Sequence, residues 1–197
     1  GEGHHNVAQR EWRADPEYDG KSEPYTSDTD PSGRYVDATL TPKGEGQARD
    51  LQPRTSAISL ELLVVSPMRR ATQTGLLAFG EHVASRNLRV VACELAHEIA
   101  GRHTCDRRLG RAALKEAYPV VDYSEIESEE DPLWGDGFTR ESALSLVTRA
   151  ARFAEWLAAR PEQRIAVAAH SAFLCALFTA VLQYPDGAEP GARAWFA

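Results

Sequence analysis

Several features common in secreted, membrane or nucleic-acid-binding proteins are scarce or missing from this sequence. Its three cysteines, Cys93, Cys105 and Cys175, are an odd set without paired spacing, so we expect reduced thiols rather than a disulfide framework. No run of about 18 apolar residues occurs and no signal peptide is visible, which favours the cytoplasm. The net charge of −7 argues against nucleic acid or an anionic membrane as a partner, because both require a basic surface.

Two familiar kinds of catalytic motif are absent as well. No Gly-x-Ser-x-Gly sequence occurs, which argues against a serine hydrolase. No two histidines have the His-x-x-x-His spacing, and no cysteines resemble those of a zinc ribbon. We therefore expect no metal site, although the tandem histidines His4 and His5 suggest one, with His97, His103, Cys105 and Asp106 as conceivable partner ligands.

What the sequence does contain is an alternation of two apolar patterns. Its 197 residues, 43% hydrophobic and 26% charged, suit one globular domain over residues 1–197 with a substantial core. Short apolar runs predict buried strands at residues 61–65, 89–93 and 164–169. Helical spacing predicts helices at residues 68–79, 111–118, 140–159 and 171–182. This alternation indicates an α/β fold, a three-layer α/β/α sandwich with a mostly parallel central sheet.

Two polar stretches interrupt the alternation. Residues 10–37, rich in Asp, Pro, Gly, Ser and Tyr, and the acidic residues 119–138 have no apolar period and predict surface excursions. Long loops inside compact domains are often functional, so we expect both stretches to line or cover a pocket. Between them, Thr41 is predicted to cap a helix that starts with Pro42, and Glu45 approximates the capping-box position.

Candidate functional residues follow two of the predicted strands. The carboxyl ends of parallel strands meet at one edge of a sheet, where ligands bind. Arg70 falls in the first turn of a helix, where a cation is unfavourable unless an anion is nearby, so it could bind an anion. The alternative interpretation of Arg70 is a solvent-exposed side chain, which is also what we expect for Arg69. His170 precedes the last predicted helix, where an imidazole can help to bind phosphate; the alternative is a buried histidine bonded to a backbone carbonyl.

Two further segments carry candidate groups. Glu94 and Glu98 flank the end of the second predicted strand, and a carboxyl group beside apolar groups and a phosphate dianion is suited to act as a general acid. Surface exposure is the alternative for both. Residues 1–6, Gly-Glu-Gly-His-His-Asn, offer glycines for close backbone approach and polar groups for an anion, but they would equally suit a flexible end or a tag remnant.

Four segments, taken in order, resemble motifs of the histidine phosphatase superfamily, which is related to cofactor-dependent phosphoglycerate mutase. Residues 37–44 resemble its Asp-x-x-Leu-Thr-x-x-Gly step into a long helix, and residues 66–74 its Ser-Pro-Leu-x-Arg-Ala-x-Gln-Thr motif. Residues 98–108, with Glu, Gly and Cys-Asp-x-Arg, are similar to a variant from the phosphomutase-like branch. Residues 168–174 resemble the segment of the second catalytic histidine.

The opening residues resemble the end of the family's Arg-His-Gly motif, in which four variable residues and an asparagine follow the glycine. The resemblance implies that Arg-His, with the nucleophilic histidine, precedes Gly1, and that Gly1 and Asn6 contact phosphate. Both ends of the chain, Gly1 and Ala197, are then expected to be trimmed. His4 and His5 are expected to be bystanders.

The same resemblance implies roles for three further residues. Arg70, rather than Arg69, is the phosphate-binding arginine, His170 is the second catalytic histidine, and Glu98, rather than Glu94, is the proton donor. The expected activity is phosphomonoester hydrolysis through a phosphohistidine intermediate, without a metal or organic cofactor. The expected substrate is a small phosphorylated metabolite or a phosphoprotein.

Two other functions stay open at this point. A phosphoglycerate mutase is the first, although the segment around Glu98 does not resemble the mutases' Leu-Asn-Glu-Arg-His-Tyr-Gly. The second is a catalytically inactive protein that binds a phosphorylated ligand or serves as a scaffold. The residues before Gly1 distinguish this inactive protein from an enzyme. No oligomeric state is predicted.

Overall fold

A four-stranded parallel sheet forms the centre of the molecule. The computed structural model describes residues 1–85 and 88–183. The strands are β1 Leu62–Val65, β2 Arg89–Ala92, β3 Val121–Asp122 and β4 Ile165–Ala168, and their order across the sheet is β3-β2-β1-β4. Leu62 is in register with Arg89 of β2 and with Ile165 of β4. The carboxyl ends of β1 and β4 therefore lie side by side.

Helices connect and cover the strands. In chain order they are α1 His4–Ala14, α2 Pro42–Arg49, α3 Gln52–Thr55, α4 Arg69–Ala78, α5 Gly80–Ser85, α6 Arg111–Ala117, α7 Ala143–Ala158 and α8 Ser171–Ala176. Two 3₁₀ turns, Glu94–Ala96 and Thr104–Asp106, follow β2, and a π-helical turn, Leu177–Val181, continues α8. Among the described residues, no helix is both long enough and apolar enough to cross a bilayer.

The core has two halves, one on each face of the sheet. All four residues of β1, Leu-Leu-Val-Val, are fully buried because their side chains alternate between the two halves. Leu62 and Val64 face a cluster that includes Phe153 of α7 and Phe173 of α8, whose rings meet edge to face at 5.3 Å. Leu63 and Val65 face the second cluster, which contains Leu114 of α6 and Ile126. The predicted three-layer α/β fold is confirmed.

The predicted N-cap at the start of α2 is confirmed, whereas the predicted capping-box role of Glu45 is wrong. Thr41 Oγ1 accepts a hydrogen bond from the backbone N–H of Gly44 at 3.0 Å, and Pro42 occupies the first turn. The side chain of Glu45 does not reach back to the cap. It pairs with Arg49, one turn further along the helix, at 3.0 Å.

Sequence patterns missed several elements. Helix α1 runs into the stretch 10–37, which was predicted to be wholly irregular; the helix is predominantly polar and buries only Ala8, so it has few apolar residues to reveal it. Strand β3 has two residues, too few for a recognisable pattern. Helix α5 begins at Gly80, where the preceding helix was predicted to stop. Helix α7 begins at Ala143, capped by Ser142, instead of near residue 140.

Candidate functional site

One cavity at the carboxyl end of the sheet collects the predicted site residues. Its volume is about 490 Å³, and it lies where β1 leads into α4 and β4 leads into α8. The five residues predicted to form the site all line this cavity: Gly1, Asn6, Arg70, Glu98 and His170. They come from four separate segments of the chain, so the fold brings together residues that the sequence keeps far apart.

Arg70 lies in the first turn of α4 and is buried at the cavity wall. Its Nη1 donates to the carbonyl oxygen of Cys105 at 2.6 Å, and its Nη2 donates to Asp106 Oδ1 at 3.0 Å. Burial disfavours the charged form, but the nearby negative charges, led by Asp106, outweigh it and raise the pKa of Arg70. Arg70 is therefore a fixed, permanently charged donor at a helix N-terminus, the arrangement expected for binding an anion.

Arg69, next in sequence to Arg70, has a different role. Its guanidinium group donates to the carbonyl oxygens of Asp37 at 2.8 Å and Val36 at 3.3 Å, so the prediction of a solvent-exposed side chain is wrong. The buried carboxylate of Asp37 accepts from the backbone N–H of Arg69 at 2.7 Å and that of Leu109 at 3.1 Å. Asp37 thereby satisfies a free donor at the start of α4. This pairing helps to place the first turn of α4, which carries Arg70.

Asp106 connects two arginines in the cavity wall. Its Oδ1 accepts from Arg70, and its Oδ2 accepts from Nη1 of Arg140 at 2.9 Å. Burial opposes ionisation, but the hydrogen bond from His103 and the charges of both arginines outweigh it, so the pKa of Asp106 is lowered. Asp106 is accordingly a carboxylate that holds both guanidinium groups in place.

His170 occupies the N-cap position of α8, where its side chain makes no capping hydrogen bond, and it is buried. Its Nε2 is 2.8 Å from Oγ of Ser66, the fully buried residue that follows β1. Burial, with the charge of Arg70 as the next cause, lowers the pKa of His170 well below its ordinary value. The imidazole is therefore neutral in the free protein, and a bound dianion would favour its protonated form.

Glu98 approaches the cavity from the loop that follows β2. Its Oε1 accepts from the backbone N–H of Ile99 at 3.1 Å and from that of Phe173, in the first turn of α8, at 3.2 Å. Burial raises the pKa of Glu98, and the charge of Asp106 raises it further. A carboxyl group whose proton is retained to higher pH has the property required of a general acid.

Glu94, the alternative acid, faces elsewhere. Its carboxylate pairs with the fully buried guanidinium group of Arg108 at 2.9 Å. The residues that line the cavity include Glu98 and not Glu94.

The acidic stretch 119–138 is held away from this cavity wall by Arg108. The guanidinium group of Arg108 donates to the carbonyl oxygens of residues 128–130, which ties the stretch to the loop after β2. Within the described ranges, none of residues 119–138 lines the cavity, so the expectation that this stretch lines it is wrong, whereas the alternative that it covers the pocket stays a prediction.

The N-terminal residues contribute both backbone and side chains. Asn6 Oδ1 accepts from the backbone N–H of Gly3 at 2.7 Å, which orients the amide group at the cavity. His5 lines the same cavity, and burial, followed by the charge of Arg70, lowers the pKa of His5 to about 4. His4 lines a separate cavity with Arg34 and Arg69.

Among the polar residues of the cavity wall that sequence reasoning did not assign to the site are Tyr25, His103, Asp106 and Arg140. Tyr25 comes from the polar stretch 10–37, whereas His103 and Asp106 come from the segment after β2. Arg140 lies between the acidic stretch and α7. The Cys-Asp-x-Arg pattern was a signal for Asp106. Nothing in the local sequence marks Arg140, because only the fold brings it to Asp106.

In the part of the chain that the structure describes, two groups of side chains are compact enough to hold a metal ion: His103, Cys105 and Asp106, and Glu94, His97 and Asp131. In the first group, Asp106 already accepts from two guanidinium groups. In the second group, Glu94 is paired with Arg108, and Asp131 accepts from His97 at 3.1 Å. A cation in either place would face an adjacent arginine, so both arrangements are better suited to ion pairing than to metal binding.

Comparison with curated proteins identifies relatives along most of the chain. A "Phosphoglycerate mutase-like protein" of Arabidopsis thaliana is 34% identical over 173 residues, covering 74% of this chain and 64% of the relative. This chain thus spans less than two thirds of that relative's length. A probable phosphatase of Schizosaccharomyces pombe is 29% identical over 149 residues, covering 73% of this chain and 68% of the relative.

Solved structures and family models agree with these relatives. The structure of a putative α-ribazole-5′-P phosphatase from Escherichia coli superposes with a TM-score of 0.55 at 19% identity, covering 92% of this chain and 77% of that one, which supports the shared fold. The model of the histidine phosphatase superfamily (branch 1) matches residues 20–190. With its α/β/α fold and a match over most of its length, the chain belongs to the histidine phosphatase superfamily.

Proposed function

We propose that this chain forms most of a phosphomonoester phosphatase that works through a phosphohistidine intermediate. The observation that carries the proposal is the convergence of Arg70, His170 and Glu98 on one cavity beside Gly1 and Asn6. The nucleophile in this proposal is a histidine immediately before Gly1 in the full-length protein. The names of the S. pombe relative and of the E. coli structure, both phosphatases, support the reaction class.

The first chemical step transfers the phosphoryl group to the protein. A nitrogen of the nucleophilic imidazole attacks phosphorus, and the bond from phosphorus to the ester oxygen breaks. Glu98 gives its proton to the departing oxygen, which leaves as an alcohol. Arg70, His170 and the amide of Asn6 stabilise the negative charge on the phosphoryl oxygens in the transition state.

The second step returns the protein to its starting state. Water attacks phosphorus, the bond between phosphorus and nitrogen breaks, and the carboxylate of Glu98 accepts a proton from the water. Inorganic phosphate leaves. Neither step requires a metal or an organic cofactor. The proposed substrate is a small phosphorylated metabolite or a phosphoprotein of the cytoplasm.

Product analysis distinguishes this function from its alternatives. The full-length protein, with the residues before Gly1, is incubated with p-nitrophenyl phosphate, alkyl phosphates, and 3-phosphoglycerate plus 2,3-bisphosphoglycerate. We expect release of inorganic phosphate from the monoesters. Rapid isomerisation of phosphoglycerate without phosphate release would instead identify a mutase, and residues other than Arg-His before Gly1, together with no turnover, would identify an inactive binding protein.

A further inference from the structure

His97 lies immediately before Glu98 in the chain, and its imidazole is fully buried. It is not one of the described residues that line the cavity. Its Nδ1 lies 2.8 Å from the carbonyl oxygen of Glu98, and its Nε2 lies 3.1 Å from Oδ2 of Asp131. Because Asp131 belongs to the acidic stretch 119–138, this one imidazole joins that stretch to the backbone of the proposed acid.

Both neighbours of the imidazole are hydrogen-bond acceptors. A carbonyl oxygen only accepts, so the 2.8 Å contact requires a proton on Nδ1. The carboxylate of Asp131 also accepts from the backbone N–H groups of Arg108 and Leu133, each at 2.9 Å, and these bonds favour its ionised form. An ionised carboxylate only accepts as well, so Nε2 carries a proton too. The geometry therefore describes an imidazolium cation and neither of the neutral tautomers.

The charges around His97 balance when the imidazole is protonated. The described residues then form three neighbouring ion pairs, which are His97 with Asp131, Arg108 with Glu94, and Arg149 with Glu141. Burial by itself would lower the pKa of His97, but the hydrogen bond and the charge of Asp131 outweigh it and raise this pKa. His170, on the cavity side, is neutral in the free protein. A neutral His97 would leave the buried carboxylate of Asp131 without a cationic partner in the described part of the chain.

The charge of His97 acts on Glu98 through the backbone. Arg149 donates to the same carbonyl oxygen of Glu98 at 3.1 Å, so two cationic groups hold one carbonyl. The side chain of Glu98 leaves this fixed backbone, and its Oε1 accepts from the backbone N–H groups of Ile99 and Phe173. The direction in which the carboxyl group faces the cavity therefore depends on His97 as well as on Arg149.

We propose that His97 is a positioning residue for Glu98: as an imidazolium paired with Asp131, it fixes the Glu98 carbonyl and thereby directs the carboxyl group toward the leaving oxygen. This inference rests on the proposed phosphatase function and adds a residue that acts from outside the cavity. A neutral imidazole has one N–H and could donate to only one of the two oxygens. The acidic stretch thereby gains a role, because it supplies the counter-charge of Asp131.

The protonation state of His97 can be measured in the full-length wild-type protein without substrate. Nitrogen-15 NMR of histidine-labelled protein distinguishes a ring nitrogen that carries a proton from one that does not. At about pH 7.5, roughly one unit above the ordinary histidine pKa of about 6.5, we expect protons on both ring nitrogens of His97. Asp131→Asn should lower the pH at which the second proton is lost. A neutral His97 in the wild type at this pH would overturn the inference.

The effect on the acid is tested by comparing two substrates. His97→Gln removes the charge and the donor to the Glu98 carbonyl. We expect kcat/KM to fall about tenfold more for ethyl phosphate than for p-nitrophenyl phosphate, whose phenolate needs little protonation. The ratio of the two values does not depend on the folded fraction, so a loss of stability alone leaves it unchanged. If His97→Gln does not fold, Asp131→Asn should lower the same ratio.

His82→Gln is the matched control. His82 is also buried, and its Nε2 lies 2.8 Å from the carbonyl oxygen of Thr55, away from the residues that line the cavity. This variant should leave the ratio of the two substrates at its wild-type value. Equal losses on both substrates in His97→Gln, or in Asp131→Asn where only that variant folds, would overturn the inference while the phosphatase function stands.

The proposed function can fail separately from this inference. If the full-length wild type hydrolyses neither substrate, the phosphatase proposal is contradicted, and amide hydrogen exchange then tests the positioning without turnover. Phe173 lies in the first turn of α8, where N–H groups have no partner within the helix, and its N–H donates to Glu98. We expect this amide to exchange at least about tenfold faster in His97→Gln and at the wild-type rate in His82→Gln. An unchanged rate in His97→Gln overturns the positioning role.

Discussion

At the scale of single residues, identical residues that lie close together in the sequence have different roles. Arg70 points into the cavity, while Arg69 holds backbone carbonyls of the segment before α2. Glu98 has the raised pKa and the cavity position, while Glu94 neutralises the buried Arg108. The two members of each pair are the same residue type. Their different roles therefore follow from the direction in which each side chain leaves the backbone.

Arg70 should dominate phosphate binding. Arg70→Gln removes a fixed charged donor, and we expect kcat/KM to fall about 100–1,000-fold with weaker competitive inhibition by inorganic phosphate. Arg69→Gln is the matched control: it should reduce the free energy of unfolding but leave the phosphate inhibition constant unchanged. Equal inhibition constants in the two variants would contradict the assignment of Arg70.

Glu98 should control the dependence on leaving group and pH. Because its pKa is raised, the protonated acid persists to higher pH than an ordinary carboxyl group, and turnover of alkyl phosphates should decline as pH rises through that pKa. Glu98→Gln should remove this decline and lower kcat much more for alkyl phosphates than for p-nitrophenyl phosphate, whose phenolate needs little protonation. Equal losses on both substrates would count against Glu98 as the acid.

At the scale of elements, helix α7 holds the loop that carries Glu98. Arg149 of α7 donates to the carbonyl oxygens of Leu95, His97 and Glu98 at 3.0, 2.6 and 3.1 Å, and its buried charge is paired with Glu141. One side chain thus fixes the backbone on both sides of the proposed acid. The loop has little regular structure of its own, and its shape depends on this contact.

Removing the Arg149 side chain should disturb both stability and the acid. Arg149→Met removes the buried charge partner of Glu141 and one hydrogen-bond donor from each of the three carbonyls, and we expect the free energy of unfolding in urea to drop by about 3–5 kcal/mol. The folded fraction should lose more activity on alkyl phosphates than on p-nitrophenyl phosphate, because Glu98 is displaced. Arg152→Met, an exposed position on the same helix, should change stability by less than about 0.5 kcal/mol. Similar unfolding curves for both variants would refute this role.

At the scale of the whole molecule, the sequence predicted the fold class and the strongly apolar elements better than the weakly apolar elements and the contacts between distant segments. Strong apolar runs such as Leu62–Val65 identify strands because all their residues are buried. Helix α1 and strand β3 were missed, since the first buries little and the second has two residues. In the site, Arg70 and His170 follow directly from strand ends, whereas Arg140 reaches Asp106 only through long-range packing that no local pattern encodes.

The proposed mechanism requires a covalent phosphohistidine at the residue before Gly1. Its most direct measurement is rapid acid-free quenching of the full-length protein during turnover of labelled p-nitrophenyl phosphate, followed by peptide mass spectrometry. We predict a phosphorylated peptide in which the phosphate is labile to acid, stable to base and attached to the histidine that immediately precedes Gly1. Steady turnover with no phosphorylated histidine, or with the phosphate on a different residue, would rule out this nucleophile.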